Sequence, residues 1–448
     1  MILGHFKELT VVANIKPLKG YRYNSEKTGD ISTVIAPTQY NISDEEKAKL
    51  YEMNEYNAVR IFDGAEYEND TKDDNKYTRA AEYLHDWIEQ GVLVRDKEDT
   101  IYLYEETIEL HGNRYQNMTF VALLELEELG TGNIRTCEEI REMSKRDRYE
   151  LLSKTNADMS MITCLYVERD KQLLNLMNTL SQREPDMDFD TFDGMHQRLW
   201  KITDKEIISQ IVEGFRELPL YITDGQTRYE TCIQYRNFMR ANNPMHTGDE
   251  SYNYTLVSLV NSNSDGVEIM PVHRKIKLPR GFSEEFFIAA VQDHFKIEKI
   301  IVDSQDDSLI ETMKKQIQTK RAETKFGLYH DGDYFYRLTL IDNDYIKKEL
   351  LPEMSKAYCG LDSVVLRKLI INDIFGIRDD YEDLVSTSMS ANECYEDVKA
   401  GRADIMIILN PVRVEQIESV TAAGEKMPYR SISIYPKPSV GVIINIKD

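Results

Sequence analysis

The chain of 448 residues has only five cysteines, Cys137, Cys164, Cys232, Cys359 and Cys394. They are odd in number, far apart, and form no C-x-x-C pair. That spacing argues against a disulfide framework or zinc knuckle and suits a reduced cytoplasm. Positive charge is also scarce: 55 Lys and Arg stand against 78 Asp and Glu, for a net charge of −23. Such a field repels DNA, RNA and anionic lipid, so neither a nucleic-acid nor a membrane partner is expected. The short basic stretch from Lys314 to Arg321 reads as a solvated helix face. No apolar run approaches membrane-spanning length; Ile405 to Leu409 and Val440 to Ile446 are strand-sized. The opening residues, M-I-L-G-H-F-K-E-L, are interrupted by Lys7 and Glu8 and lack a secretory apolar core. These absences lead to the expectation of a soluble cytoplasmic protein. The eight histidines include no H-E-x-x-H and no pair at helical ligand spacing, so no zinc is expected. Neither a Walker phosphate loop nor a G-x-G-x-x-G occurs. Asp186, Asp188 and Asp190 alternate like a calcium loop, but Thr191 and Gln197 stand where the turn glycine and bidentate glutamate belong. They read as a solvated acidic loop.

What is present alternates between helix and strand. Ser43 and Glu46 form a capping box that opens a helix to about Glu55, and Tyr77 to Gln90 makes a second, with Ala80, Ala81, Leu84, Trp87 and Ile88 on its buried side. Lys145 to Leu152 is helical. Strand patterns cover Ile101 to Tyr104, Thr119 to Leu124 and Met161 to Tyr166. Tyr254 to Val260 and Val267 to Met270 look like a strand pair. The clearest hairpin joins Phe326 to His330 with Tyr334 to Leu340 across Asp331-Gly332-Asp333. Asp404 to Leu409, Ser431 to Tyr435 and Val440 to Ile446 supply late strands. Helices and hairpins without a strict βαβ period indicate an α+β, or mixed α/β, fold. The length suggests about three domains, or two larger ones. The expected division is 1–130, 131–325 and 326–448, with Gly130 to Gly132 at the first boundary.

The segment Leu220 to Glu230, L-Y-I-T-D-G-Q-T-R-Y-E, is the most informative. Thr203 and Glu206 suggest a capping box for a helix through Phe215, and Pro219 stops it. Leu220 to Ile222 is a buried strand, Asp224-Gly225 a turn, and Gln226 onward a helix. A glycine turn that feeds a helix N-terminus presents backbone N–H groups and the positive end of a dipole to an anion. Thr227 and Arg228 lie in the first turn, where a guanidinium suits phosphate or carboxylate. The competing reading is an ordinary turn with Arg228 paired to Asp224 or Glu230. The polar segment Arg240 to Tyr252 reads as a loop that orders over a bound ligand.

Three weaker signals accompany this one. Lys16, Lys19 and Arg22 surround a proline and a glycine in N-I-K-P-L-K-G-Y-R-Y-N (Asn14 to Asn24), which is either a phosphate clamp or a basic surface turn. Pro271-Val272-His273-Arg274 ends a strand with two donors, or is a structural polar cluster. D-R-Y-E-L-L (Asp147 to Leu152) contributes Arg148. Taken in order with V-I-A-P (Val34 to Pro37), N-E-Y-N-A-V-R-I (Asn54 to Ile61), L-W-K-I (Leu199 to Ile202), D-G-Q-T-R-Y-E, L-N-P (Leu409 to Pro411), G-E-K-M-P (Gly424 to Pro428) and Y-P-K (Tyr435 to Lys437), these motifs resemble the domain-of-unknown-function family number one thousand fifteen. The resemblance implies a ParB-like, sulfiredoxin-like central domain distantly similar to free serine kinases. It places a phosphate-binding Gly-x-x-Arg on Gly225 and Arg228. Members tend to be encoded beside serine-biosynthesis enzymes, which implies serine or phosphoserine as ligand.

The chain departs from the family at three histidines. Gln226 and Thr227 replace the pair of D-G-H-H-R, Cys137 precedes Glu138 where a His-Glu pair is usual, and Gln197 stands where a histidine precedes the L-W. The arginines remain. Imidazole transfers protons and ligates metals, whereas arginine only binds anions. If Gln226, Gln197 and Cys137 share one pocket, its metal or acid/base chemistry is altered. Two readings follow. In the first, the chain performs phosphoryl transfer on serine or phosphoserine, as kinase or phosphatase. Gly225, Gln226, Thr227, Arg228, Lys16, Arg22 and Arg274 would hold phosphate, Asp224 or Glu138 would serve as base or Mg²⁺ ligand, and a nucleotide would accompany the Mg²⁺. In the second, it is a non-catalytic sensor of a phosphorylated metabolite or nucleotide.

Overall fold

A computed structural model describes residues 13–37, 42–110, 113–140, 142–264, 266–302, 308–318, 323–378 and 384–447. The opening M-I-L-G-H-F-K-E-L segment and residues 319–322 of the basic stretch lie outside them. The protein is α+β, as the mixture of helix and hairpin patterns implies. Among the described residues no helix is long and apolar enough to cross a membrane.

The chain forms two compact units, each discontinuous in sequence. The first comprises residues 1–136, 140–268 and 435–448, and the second residues 137–139 and 269–434. The boundaries expected at 130 and 325 fall elsewhere. Position 130 lies between strands of a single sheet, and 325 opens a strand in the middle of another.

The first unit is built on a nine-stranded mixed sheet. Its strands are β1 (Ile15–Lys16), β2 (Ile101–Leu110), β3 (Asn113–Glu125), β4 (Ile134–Thr136), β5 (Ile162–Tyr166), β6 (Met187–Asp190), β7 (His196–Ile202), β8 (Leu220–Asp224) and β9 (Tyr254–Asn261). They run in the order β4-β8-β5-β9-β3-β2-β7-β6, with β1 on β3. The pairs β4–β8 and β5–β9 are parallel and the others antiparallel. Both faces are covered, which explains strands buried along most of their length. One face packs Ile101, Leu103, Phe120 and Trp200 against Met177, Ile211, Phe215, Tyr229 and Cys232 of helices. The other packs Tyr102, Tyr104, Val121 and Leu199 against Val59, Leu84, Trp87 and Val442.

The first unit's longer helices are α1 (Asp44–Met53), α2 (Lys76–Glu89), α3 (Glu142–Thr155), α4 (Gln172–Leu180), α5 (Lys205–Phe215) and α6 (Gln226–Asn242). Ser43 and Glu46 make the expected capping box on α1. The cap of α5 is instead Asp204, whose carboxylate accepts from the Glu206 and Ile207 N–H groups. The Asp204 carboxylate satisfies two of the helix's orphan donors, which leaves Thr203 outside the cap. Two strand expectations and one loop expectation also shift. Tyr254–Asn261 pairs with Asn113–Glu125 and Ile162–Tyr166, not with a following hairpin. Only Asn445–Ile446 of the Val440 to Ile446 run is a strand. The three alternating aspartates lie at the sheet edge beside β7 rather than in a loop: Asp188 and Asp190 face His196, and Asp186 accepts from the Lys201 N–H.

In the second unit six antiparallel strands run Phe295–Ile301, Tyr334–Leu340, Lys325–Tyr329, Ile405–Ile408, His273–Ile276 and Val385–Ser388 across the sheet. The hairpin across Asp331-Gly332-Asp333 is present. Helices Leu309–Ile317 and Ala391–Lys399 supply Ile310, Met313, Cys394 and Val398 to its core.

Candidate anion-binding site

All five residues of β8 are buried, and the chain leaves the sheet at Gly225 with φ 83°. A Cβ there would lie 2.7 Å from Arg228 Nη2, so the left-handed turn and the packing of Arg228 both call for glycine. Gly225 is also the N-cap of α6 and provides no capping side chain. Arg228, in the first turn, folds back to Asp224, with Nη2 donating to Oδ2 at 2.9 Å. Its Nη1 donates to the Ser160 hydroxyl, while its buried Nε has no partner. Asp224 Oδ1 receives Lys437 Nζ at 2.8 Å. The structure therefore shows the paired turn, with Arg228 held by Asp224, and Asp224 neutralises part of a positive cluster.

A second arginine joins it. Arg148 on α3 and Arg228 on α6 line one narrow crevice of about 40 Å³, with Asp158, Ser160, Cys232 and Thr255 among its other walls. That is room for a water or two. Arg148 stacks over the Phe62 ring at 4.7 Å, donates to the Phe62 carbonyl at 3.4 Å and makes a loose 3.8 Å contact with Asp147, which Lys76 and the Tyr77 hydroxyl also hold. Asp158 is committed to Lys447 Nζ at 2.8 Å and to the Asn445 amide and Leu256 N–H. Both arginines remain reachable, with side chains 19% and 14% exposed. Burial pushes the Cys232 thiol up to about 11, so it is no nucleophile at neutral pH.

This donor set does not fit Mg²⁺. Each of the two carboxylates at the crevice is already held by cationic side chains, and a divalent ion would meet two guanidinium groups. Among the described residues no cluster of three or more His, Cys, Asp and Glu could hold a metal ion.

Of the remaining candidates, only Gln226 and Thr227 adjoin this turn. Arg22 is bidentate to Asp96 at 3.0 and 2.7 Å. Burial opposes its charge, but Asp96 outweighs burial and raises its pKa, which marks a structural ion pair rather than a phosphate clamp. Lys16 lies 3.1 Å over the Tyr254 ring, and burial lowers its pKa. Gln226 is buried at the start of α6, and the Thr227 carbonyl accepts from Thr231 within it. Gln197 is fully buried, accepting from Tyr104 and donating to Ser439. Cys137, Glu138, His273 and Arg274 belong to the second unit. The three positions that lack histidine therefore do not share one compact unit. Glu138 Oε1 accepts from the Ser431 and Ile432 N–H groups, a backbone anchor rather than a base. Arg274 donates to the carbonyls of Val272 and Arg430. Burial, then the charges of Lys314 and Arg274, push His273 down to about 3, and its Nδ1 accepts from the Leu409 N–H, so it is neutral at physiological pH.

The expected ligand-ordering loop is also at the wrong end. The 17 residues of α6 span about 25 Å, which separates residues 243–250 from Arg228. That loop is braced internally: Glu250 accepts from the Thr247 and Gly248 N–H groups, and His246 bonds Tyr252. Sequence reasoning missed Ser160, which has no local signature. Lys437 stands within a quoted motif, Y-P-K, but nothing local ties it to Asp224.

The chain belongs to the family described as Protein of unknown function (DUF1015), whose model matches residues 15–364. No curated protein matches it. Among solved structures it is similar to a conserved hypothetical protein from Pyrococcus furiosus, at 11% identity and TM-score 0.34, over 73% of this chain and 95% of that one. It is also similar to a free serine kinase in complex with AMP, at 10% identity and TM-score 0.33, over 72% and 91% of the two chains. A third is SbnI with a C-terminal truncation from Staphylococcus aureus, at 10% identity and TM-score 0.33, over 73% and 87%.

Proposed function

We propose that the protein binds the phosphoryl group of a small phosphorylated metabolite or nucleotide at the turn between β8 and α6. The observation that carries this reading is the convergence of Arg148 and Arg228 on one crevice at the start of a helix, with the buried Nε of Arg228 unpaired. Two guanidinium groups beside a helix N-terminus repel each other unless an anion joins them, and backbone N–H groups there add donors. The crevice is small, so only the phosphoryl group would enter, after Arg228 gives up its contact with Ser160 or Asp224. The rest of the ligand would lie outside.

Binding without catalysis fits the residues better than phosphoryl transfer. Asp224 has both oxygens bonded to cationic side chains, and Glu138 holds two backbone N–H groups within its own, second unit. A kinase or phosphatase acting on serine or phosphoserine would need Asp224 to release Lys437 or Arg228 first. Serine and phosphoserine belong in the first ligand screen, beside nucleotides and other phosphorylated metabolites, with and without Mg²⁺.

The test is calorimetric titration of the best ligand from a thermal-shift screen into wild type, Arg228→Ala and Arg148→Ala. Losing one charge-assisted pair should cost about 1.5–3 kcal/mol, roughly a ten- to hundredfold loss of affinity. Unchanged affinity in both folded variants would remove this site.

A further inference from the structure

A second constellation lies on the sheet face that carries Tyr102, Tyr104 and Val121. The register sets Gln197 beside Glu106 and Glu106 beside Asn117, with Thr119 two residues further along β3. All four are fully buried. The segment Pro436–Ser439 of the same unit bonds across them. Asn117 Nδ2 donates to the Pro436 carbonyl at 3.1 Å, and the Ser439 N–H donates to Glu106 Oε1 at 3.2 Å. Gln197 Nε2 donates to Ser439 Oγ at 2.6 Å. The Tyr104 hydroxyl lies 3.0 Å from Glu106 Oε1 and 2.9 Å from Gln197 Oε1.

After these bonds, Glu106 Oε2, Asn117 Oδ1 and Thr119 Oγ1 remain buried with no partner. Directly opposed residues on neighbouring strands hold their Cβ atoms about 4.5–5.5 Å apart, and residues i and i+2 share a face, so these atoms line one patch. Native interiors satisfy nearly all such atoms, and a concentration of exceptions points to a missing partner. The Pro436 carbonyl fixes the Asn117 amide with its oxygen on the open side.

The chemistry of that partner follows from the donor set. Every open atom is a hard oxygen, one of them on a carboxyl group with no counter-charge. Lys437 is held by Asp224, while the titratable groups facing Glu106 are Tyr104, Tyr435 and Asp193, which are neutral or negative. Oxygen ligands favour hard cations, and one carboxylate among neutral groups balances a single positive charge. We infer that Glu106, Asn117 and Thr119 form a buried site for a small monovalent cation, either an alkali-metal ion or a primary ammonium group, beneath the Pro436–Ser439 segment. Burial holds the free Glu106 carboxyl protonated up to about 8. Entry of the cation therefore releases that proton to solvent, and each pH unit below this value weakens binding about tenfold.

The experiment uses the full chain, exchanged into tetramethylammonium chloride, whose ion is bulky and has no N–H to donate. Thermal unfolding at pH 8 is then followed with added potassium, sodium or methylammonium chloride at constant ionic strength. One of these should raise the midpoint saturably by about 5 °C, the scale expected when ligand stands at about a hundred times its Kd. The rise should vanish in Glu106→Gln, and at pH 6 the half-saturating concentration should be about fiftyfold higher than at pH 8. If Glu106→Gln does not fold, Thr119→Val should weaken the response several-fold. Stoichiometric alkali metal by elemental analysis identifies an ion; a response to methylammonium alone identifies an amine. Equal midpoints in all four chlorides would mean that ordered water and a protonated acid fill the site. That outcome, or an undiminished response in Glu106→Gln, would overturn the inference.

Discussion

Burial keeps the Glu106 carboxyl protonated up to about 8, whereas an unfolded chain would release the same proton near about 4.3. The folded state thus binds the proton more tightly. This contribution to stability is fully present below about pH 4 and is lost as the pH rises towards 8, at ~1.4 kcal/mol per unit. In tetramethylammonium buffer, urea midpoints should fall with pH across that window, and Glu106→Gln should flatten the slope. An equal slope in the variant would assign the effect to other groups. The sequence conceals this residue. In Y-L-Y-E-E-T-I-E (Tyr102 to Glu109), Glu106 looks no different from Glu105 and Glu109 beside it. Only the register with Gln197 and Asn117, and a segment more than three hundred residues later, bury it. Arg228 was easier to read, because a glycine and a basic residue three apart at a strand end have a local physical meaning. Its partner Ser160 did not share that advantage.

At the scale of elements, the Leu220–Asp224 strand and the helix after it were legible because an apolar run, a glycine and a helical pattern follow within a few residues. The cap of α5 was misassigned by one residue, since Thr203 and Asp204 are both good caps and only the fold decides between them. Asp204→Ala should cost about 1 kcal/mol in denaturant midpoint analysis; Thr203→Ala should cost much less. Gly225→Ala would place a non-glycine residue at positive φ and a Cβ 2.7 Å from the Arg228 guanidinium. It should destabilise by about 1–2 kcal/mol and weaken phosphoryl binding by displacing Arg228. A variant that keeps wild-type affinity would uncouple the turn from the site.

The first unit depends on residues that return to it from the far end of the described chain. Lys447 is buried against Asp158 at 2.8 Å, and removing one member of such a pair strands the other. Lys447→Met should cost about 3–5 kcal/mol, measured as a lower midpoint of that unit's unfolding. A loss under 1 kcal/mol would show that Asp158 is solvated instead. This dependence is why consecutive domains could not be drawn from composition alone: residues 435–448 belong to the same compact unit as the strand at Ile15–Lys16. The central claim, a phosphoryl group held by Arg148 and Arg228, is tested most directly by hydrogen exchange of the full chain with and without a saturating ligand identified in the thermal-shift screen. The account predicts slowed exchange at residues 226–232 and 148–160, with residues 243–250 unchanged. Protection confined to residues 243–250, or to the second unit, would contradict it.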